Sequence, residues 1–231
     1  ATHYGCRVTT TTISREQHAL AGERIERAGL GDRVTLLLED YRDLSGRYDK
    51  LVSIEMIEAV GHHFYDTYFR QCGRLLQDDG VMLLQAITIA DQRYRAARDS
   101  VDFIQRYIFP GSCIPSVAVI ADAVARVTDL RLVHLDDIGP HYATTLRRWC
   151  ENLFANLERV RALGYPERFI RMWEYYLAGS EVSFRHMGTT LFQIQMVKNR
   201  ESVPLRRDYI TEAEKRLPAM AESGGGASSA A

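Results

Sequence analysis

The chain carries 29 Lys and Arg against 30 Asp and Glu over 231 residues, a formal net charge of −1, so bulk electrostatics give no reason to expect a nucleic-acid partner. Hydrophobic residues make up 46% and charged residues 26%, enough to bury one medium core, while no apolar run approaches the roughly 18–20 residues that span a bilayer. The four cysteines, Cys6, Cys72, Cys113 and Cys150, form no CxxC pair, which argues against a zinc site or disulfide framework and fits a reducing cytoplasm.

Strand and helix patterns alternate along the chain. Residues 6–13, CRVTTTTI, are β-branched and predict a strand. Ser14 offers an N-cap with Gln17 three residues on, a capping-box spacing that predicts a helix to Gly29. Short strands follow at 34–38 and 48–54. A helix over 65–76 ends at Asp78-Asp79-Gly80, a turn signal. Residues 81–89, VMLLQAITI, are almost continuously apolar, as in the buried middle of a parallel sheet.

From 91 to 116 the alternation stops. The stretch is aromatic, charged and broken by Pro110, Gly111 and Pro115, which predicts an inserted helix and loop. Residues 116–126 resume a helix and 130–136 a strand. Two long helices are predicted at 142–163, with Trp149, Leu153, Leu157 and Val160 in phase, and at 166–178, with Phe169, Met172, Trp173 and Tyr176 on one face. A strand follows at 190–197, and SGGGASSAA from about residue 223 predicts a flexible tail. The pattern predicts a doubly wound α/β domain over 1–200, with helical insertions at about 91–116 and 142–180, and a separate segment over 201–231.

The stretch LVSIEMIEAVG at 51–61 holds the first chemical clue. An apolar strand runs directly into Glu55 and Glu58, and charge at that end of a strand is costly unless it binds or reacts. In open α/β sheets that edge is where ligands sit. The plainer alternative is a solvated helix start. At the front of the chain no GxGxG occurs anywhere, although nucleotide-type α/β domains normally open with a strand and such a loop. Residues 1–5 look like a helix end and its cap, so the expectation is a chain that starts after the first strand and Gly-rich loop.

Six segments in order resemble one known family: TTTISREQ at 10–17, EDYRDL at 39–44, SIEMIEAVG at 53–61, LLQAITI at 83–89, RYIFPG at 106–111 and HYATTLRRW at 141–149. They are similar to the catalytic domain of cyclopropane-fatty-acyl-phospholipid synthases, a branch of the S-adenosylmethionine-dependent methyltransferases. Gln85 and EMIEAVG resemble the plant-type branch; the common bacterial branch has His in place of Gln85. The resemblance implies a Rossmann-like class I methyltransferase sheet with helical insertions, here with the first strand and Gly-rich loop missing. Without that loop, the chain by itself is expected to bind the cofactor weakly or not at all.

The implied reaction moves a methyl group from the sulfonium onto a cis double bond of a phospholipid acyl chain, after which a base removes a proton so that a cyclopropane ring closes. The resemblance implies a bound bicarbonate as that base, surrounded by Glu58, Gln85, the backbone at Ile87 and Tyr142. Glu58, Gln85 and Tyr142 are the implied catalytic residues. Thr12, Ser14, Gln17, Asp40 and Tyr41 are the implied contacts of S-adenosylmethionine, and no metal is implied. On the residues alone, Gln85 also reads as a strand polar group paired to a loop, Tyr142 as a surface tyrosine, Gln17 as a capping partner and Asp40 as a strand-end turn residue.

Phe103, Tyr107 and Phe109 of the insertion, with the face Phe169, Met172, Trp173 and Tyr176, would line an acyl tunnel or simply pack the core. Arg93, Arg95 and Arg98 read first as a solvated helix side and second as contacts for lipid phosphates. The implied partners are unsaturated phospholipid acyl chains, met by peripheral contact at the inner face of the membrane, and the resemblance allows a homodimer. Methylene- or methyl-branched products, an inactive fragment or partner subunit, and a methyltransferase for small molecules or proteins are the competing functions.

Overall fold

The computed structural model describes residues 1–204 and 206–224. The chain divides into two compact units: Ala1–Ser45 with the described residues from Val203 onward, and Gly46–Ser202. A boundary thus lies at Ser202–Val203, and a further one, not read from the sequence, at Ser45–Gly46.

In the first unit β1 (Val8–Thr11) pairs in parallel with β2 (Val34–Leu37), Val8 opposite Val34. Between them runs α1 (Arg15–Arg27). Ser14 caps that helix by accepting from the Gln17 N–H at 3.2 Å. The reciprocal half of a capping box is absent, because the Gln17 side chain accepts from Thr12 Oγ1 instead. None of residues 1–45 is buried.

The second unit holds a four-stranded sheet in the order β3-β4-β6-β5. Its elements in sequence are β3 (Tyr48–Ile54), α2 (Ile57–Val60), α3 (Tyr65–Leu75), β4 (Leu76–Ile89), α4 (Asp91–Arg98), α5 (Phe103–Tyr107), α6 (Val117–Val127), β5 (Arg131–Asp137), α7 (Gly139–Ala155), α8 (Leu157–Ala162), α9 (Glu167–Arg185) and β6 (Thr189–Val197). The last described element, α10 (Asp208–Gly224), belongs to the first unit. The sequence patterns predict no helix there; α10 takes in the start of the Gly/Ser/Ala tail expected from about residue 223, and the rest of that tail lies outside the described residues.

Three expectations are corrected. β3 and β4 are parallel, but β6 enters antiparallel between β4 and β5, so the sheet is mixed. The turn expected at Asp78–Gly80 is absorbed into β4: Tyr48 pairs with Leu76 and Lys50 with Val81, leaving the acidic residues in an irregularity of the ladder. The predicted helix over 142–163 breaks at Asn156, and α9 runs seven residues beyond the predicted 178.

Strand alternation gives β4 two distinct faces. Met82, Leu84 and Ala86 are fully buried. Leu84 is opposite Ser53, whose hydroxyl accepts from Tyr68 of α3 at 2.7 Å, so α3 covers that face. Gln85 and Ile87 point the other way, and Ile87 packs on the cluster Ala143, Leu146, Leu177, Phe184 and Leu191 built by α7, α9 and β6. Arg147 of α7 grips Glu181 of α9 through Nε and Nη2, fastening the two helices across this cluster. Gly139 lets α7 start hard against β6: a Cβ there would collide with Thr190 Oγ1. That approach sets Tyr142 one turn into α7, over the end of β3.

Candidate active site

β3 ends at Ile54, and Glu55 follows at φ 51°, a left-handed conformation that a non-glycine residue keeps only under constraint. Its N–H donates to the Gln85 carbonyl at 2.8 Å, extending the ladder by one bond through the bend. Its half-buried carboxylate collects donors from two distant elements. Gln85 Nε2 donates to Oε1 at 2.8 Å, and the Tyr142 hydroxyl donates to Oε2 at 2.7 Å. Gln85 is itself oriented by β6, since its register partner Gln193 donates Nε2 to Gln85 Oε1 at 3.0 Å. The Tyr142 ring stacks on Phe184 at 4.6 Å and meets Trp149 edge-on at 6.1 Å. Burial, with the bond to Glu55, raises its phenol well above the ordinary value, so it acts as a donor.

Glu58, one turn on in α2, is buried. Its Oε1 accepts the Ile87 N–H at 2.5 Å, and its Oε2 has no partner. Burial pushes its carboxyl up to about 7; backbone N–H bonds from its own amide and Ile87 oppose the shift, and the charge of Glu55 adds to it. Near neutrality Glu58 therefore carries its proton about half the time. Of the expected set, the structure joins Gln85 to Tyr142 through Glu55 and Ile87 to Glu58. Neither glutamate is in an ion pair recorded among the described residues. Glu55 and Gln193 are the participants that the resemblance does not assign. Glu55 was signalled by its acidic position at a strand end; Gln193 carried no signal, because the pairing of β6 with β4 is tertiary.

The aromatic insertion and helix face do meet. Phe109 lies edge-on to Tyr176 at 5.9 Å and Phe103 to Tyr175 at 4.7 Å, while Phe103 contacts Tyr107 at 5.4 Å. Along α9 the rings continue from Tyr176 to Trp173 at 5.5 Å, Phe169 at 5.7 Å and Tyr165 at 4.4 Å. Beside them a groove of about 340 Å³ opens between α7 and α9, lined by Trp149, Asn152, Leu153, Trp173 and Leu177. Burial, and next the charge of Glu55, raise the Tyr176 phenol. Of the insertion arginines, Arg98 pairs with Asp99 and Arg93 donates to the Gly188 carbonyl.

In the first unit the expected cofactor residues bond to near neighbours. Thr12 Oγ1 donates to Gln17 Oε1 at 2.7 Å and accepts the Ser14 N–H at 3.1 Å. Asp40 accepts from the side chain and backbone N–H of Arg42, which holds its carboxyl down at about 2. The Arg42 guanidinium also lies 6.0 Å from the ring centroid of Tyr41.

Residues 1–194 match the family model for mycolic acid cyclopropane synthetase. The chain belongs to this family. Over 194 residues it is 42% identical to the tuberculostearic acid methyltransferase UfaA1 of Mycobacterium tuberculosis, covering 84% of this chain and 45% of that protein. The same share of this chain is 39% identical to 48% of the cyclopropane-fatty-acyl-phospholipid synthase of Escherichia coli. The chain thus spans about half the length of the curated relatives it matches. Among solved structures, the mycolic acid cyclopropane synthase CmaA1 complexed with SAH and CTAB superposes with a TM-score of 0.75 at 28% identity, over 82% of this chain and 69% of that one. The fold is that of the class I S-adenosylmethionine-dependent methyltransferases, as the family members adopt it.

Proposed function

We propose that this chain forms the substrate-handling part of an S-adenosylmethionine-dependent methyltransferase that adds a methyl-derived carbon to the cis double bond of a lipid acyl chain, giving a cyclopropane. One observation carries this function: a carboxylate, Glu55, held by an amide and by a phenol, Tyr142, whose ring stacks on Phe184 and meets Trp149 of the aromatic groove edge-on. An alkene is a poor nucleophile, so the site must align it and exclude water. The rings Phe109, Tyr176 and Trp173 suit both needs, and their faces favour a passing carbocation.

Thr12, Ser14, Gln17, Asp40 and Tyr41 would hold S-adenosylmethionine, which when bound supplies an electrophilic methyl group. Asp40 fits that use: it stays ionised, and its Oδ2 accepts one recorded bond, leaving a lone pair for an amino or hydroxyl group. Bicarbonate fits less well. The Tyr142 hydroxyl and one Gln85 N–H already serve Glu55, the Ile87 N–H serves Glu58, and an added anion would face two carboxyl groups.

Lipid contact has support at the tip between α8 and α9. Leu163 is 76% exposed and Tyr165 46% exposed. Arg159, Arg168 and Arg171 flank them with no ion pair recorded among the described residues, a combination suited to an anionic headgroup layer. No helix among the described residues is long and apolar enough to cross a membrane, and the contact proposed here is a peripheral one. A methyl-branched product is the second reading, favoured by the 42% identity to the tuberculostearic acid methyltransferase.

Mass spectrometry of lipids from cells expressing the complete reading frame that carries these residues tests the assignment. Unsaturated acyl chains gaining one CH₂ are expected, and proton NMR of the extract separates ring from branch. Acyl chains left unchanged would exclude the lipid function.

A further inference from the structure

We propose that the Glu55 carboxylate is itself the proton acceptor of this site, standing where the resemblance implies an exogenous bicarbonate. This role presupposes the acyl-chain methyltransferase function, but it makes a separate demand on the geometry. Gln85 and Tyr142, two of the groups expected to hold the ion, end instead on Glu55, at 2.8 and 2.7 Å on different oxygens. Gln193 fixes which way the Gln85 amide faces: its Nε2 donates to Gln85 Oε1 at 3.0 Å, so the Gln85 NH₂ is turned to Glu55. The donors thus orient a carboxylate that is already part of the chain.

The backbone supports the same role. Glu55 sits at φ 51°, and the bond from its N–H to the Gln85 carbonyl at 2.8 Å ties it to β4 while its side chain reaches Tyr142. A strained non-glycine residue at the carboxyl end of a strand is a recurring feature of functional sites. The groups facing the carboxylate are Gln85 from β4, Tyr142 from α7 and, through their charge effects, Glu58 from α2 and Tyr176 from α9. No cation is recorded in contact with either glutamate among the described residues. A free anion would have no counter-charge there, whereas a tethered carboxylate needs no binding energy to stay.

The step balances with groups already named. The alkene π pair forms the bond to the methyl carbon as the S–CH₃ bond breaks and its pair remains on sulfur. This leaves a cation on the neighbouring chain carbon. One C–H bond of the new methyl group then breaks; its pair forms the third ring bond, and the proton goes to a Glu55 oxygen. Two hydrogen-bond donors keep that carboxylate aimed until then.

The test uses the protein made from the complete reading frame, assayed for labelled methyl transfer into vesicles of dioleoyl phospholipid, in buffer stripped of carbon dioxide and in buffer with added bicarbonate. The wild-type rate is expected to change less than about twofold between the two buffers. Glu55→Gln, which keeps the shape but cannot accept the proton, should lose about 100-fold or more. Glu55→Gly, which opens the space, should lose as much and recover about tenfold with bicarbonate or formate. A wild-type rate that falls tenfold without bicarbonate, or a Glu55→Gln enzyme within threefold of wild type, would overturn the role. If no acyl chain is methylated in either buffer, the function fails, and ¹³C-bicarbonate titration followed by NMR decides the geometry independently. Saturable binding to Glu55→Gly but not to wild type supports Glu55 as the tethered carboxylate, and saturable binding to wild type contradicts it.

Discussion

The candidate site residues of the two units satisfy their hydrogen bonds in opposite ways. In the first, the cofactor candidates bond over short sequence distances: Thr12 with Gln17, five residues apart, and Asp40 with Arg42, two apart. In the second, the bonds joining Glu55 to Gln85 and Tyr142 span 30 and 87 residues, and that between Gln85 and Gln193 spans 108. The first arrangement depends on short segments of chain alone. The second exists only when the mixed sheet and the α7–α9 pair are assembled, so the geometry of the candidate site and stability are coupled there.

The largest test of that contrast is a core truncation. Leu146, 1% exposed within the α7–α9 cluster, should lose ~3 kcal/mol as Leu146→Ala, read by urea unfolding. Leu20→Ala, in a helix without buried residues, should lose less than ~0.5 kcal/mol. Equal losses would break the contrast.

Next in size is a pH effect at Glu58. Its folded carboxyl titrates near 7 against 4.5 for the ordinary group. The folded state therefore binds this proton more tightly, and the associated stability is complete below pH 4.5 and is lost as pH rises through 7. At about 1.4 kcal/mol per unit the change is about 3 kcal/mol. Glu58→Gln removes the titration, so stability relative to the parent should shift by that amount in the variant's favour between pH 4 and 8, as followed by denaturant midpoints. A pH-independent difference would mean that Glu58 is not held at high pKa.

Tyr142→Phe sharpens the comparison on a smaller scale. It leaves a Glu55 oxygen without its donor and should cost about 1–2 kcal/mol, with the loss shrinking in a Glu55→Ala background, as a double-mutant cycle would show. Smallest is Asp40→Asn, which removes an exposed pair with Arg42. No measurable shift in the unfolding midpoint is expected, while calorimetric affinity of the complete protein for S-adenosylhomocysteine should fall. An unchanged affinity would remove Asp40 from the cofactor set.

What was legible in the chain follows the same division. Features set by neighbours were readable: the Ser14 cap, β3 in full, and the strand-end acids of LVSIEMIEAVG. Features set by assembly were not. Asp78-Asp79-Gly80 has turn composition, yet pairing on both sides of it keeps the stretch in β4. The antiparallel entry of β6 leaves no local mark, so the alignment of Gln193 with Gln85 could not be foreseen. Gln85 and Tyr142 were singled out by resemblance, but the partner they share, Glu55, emerges only when three elements converge.

A crystal structure of the complete protein with S-adenosylhomocysteine, grown in bicarbonate buffer, addresses the centre of the account most directly. The Glu55 carboxylate is expected to be bonded at once to Gln85 Nε2 and the Tyr142 hydroxyl, with no ion between them. A planar bicarbonate bridging Gln85 and Tyr142, with Glu55 turned away, would contradict it.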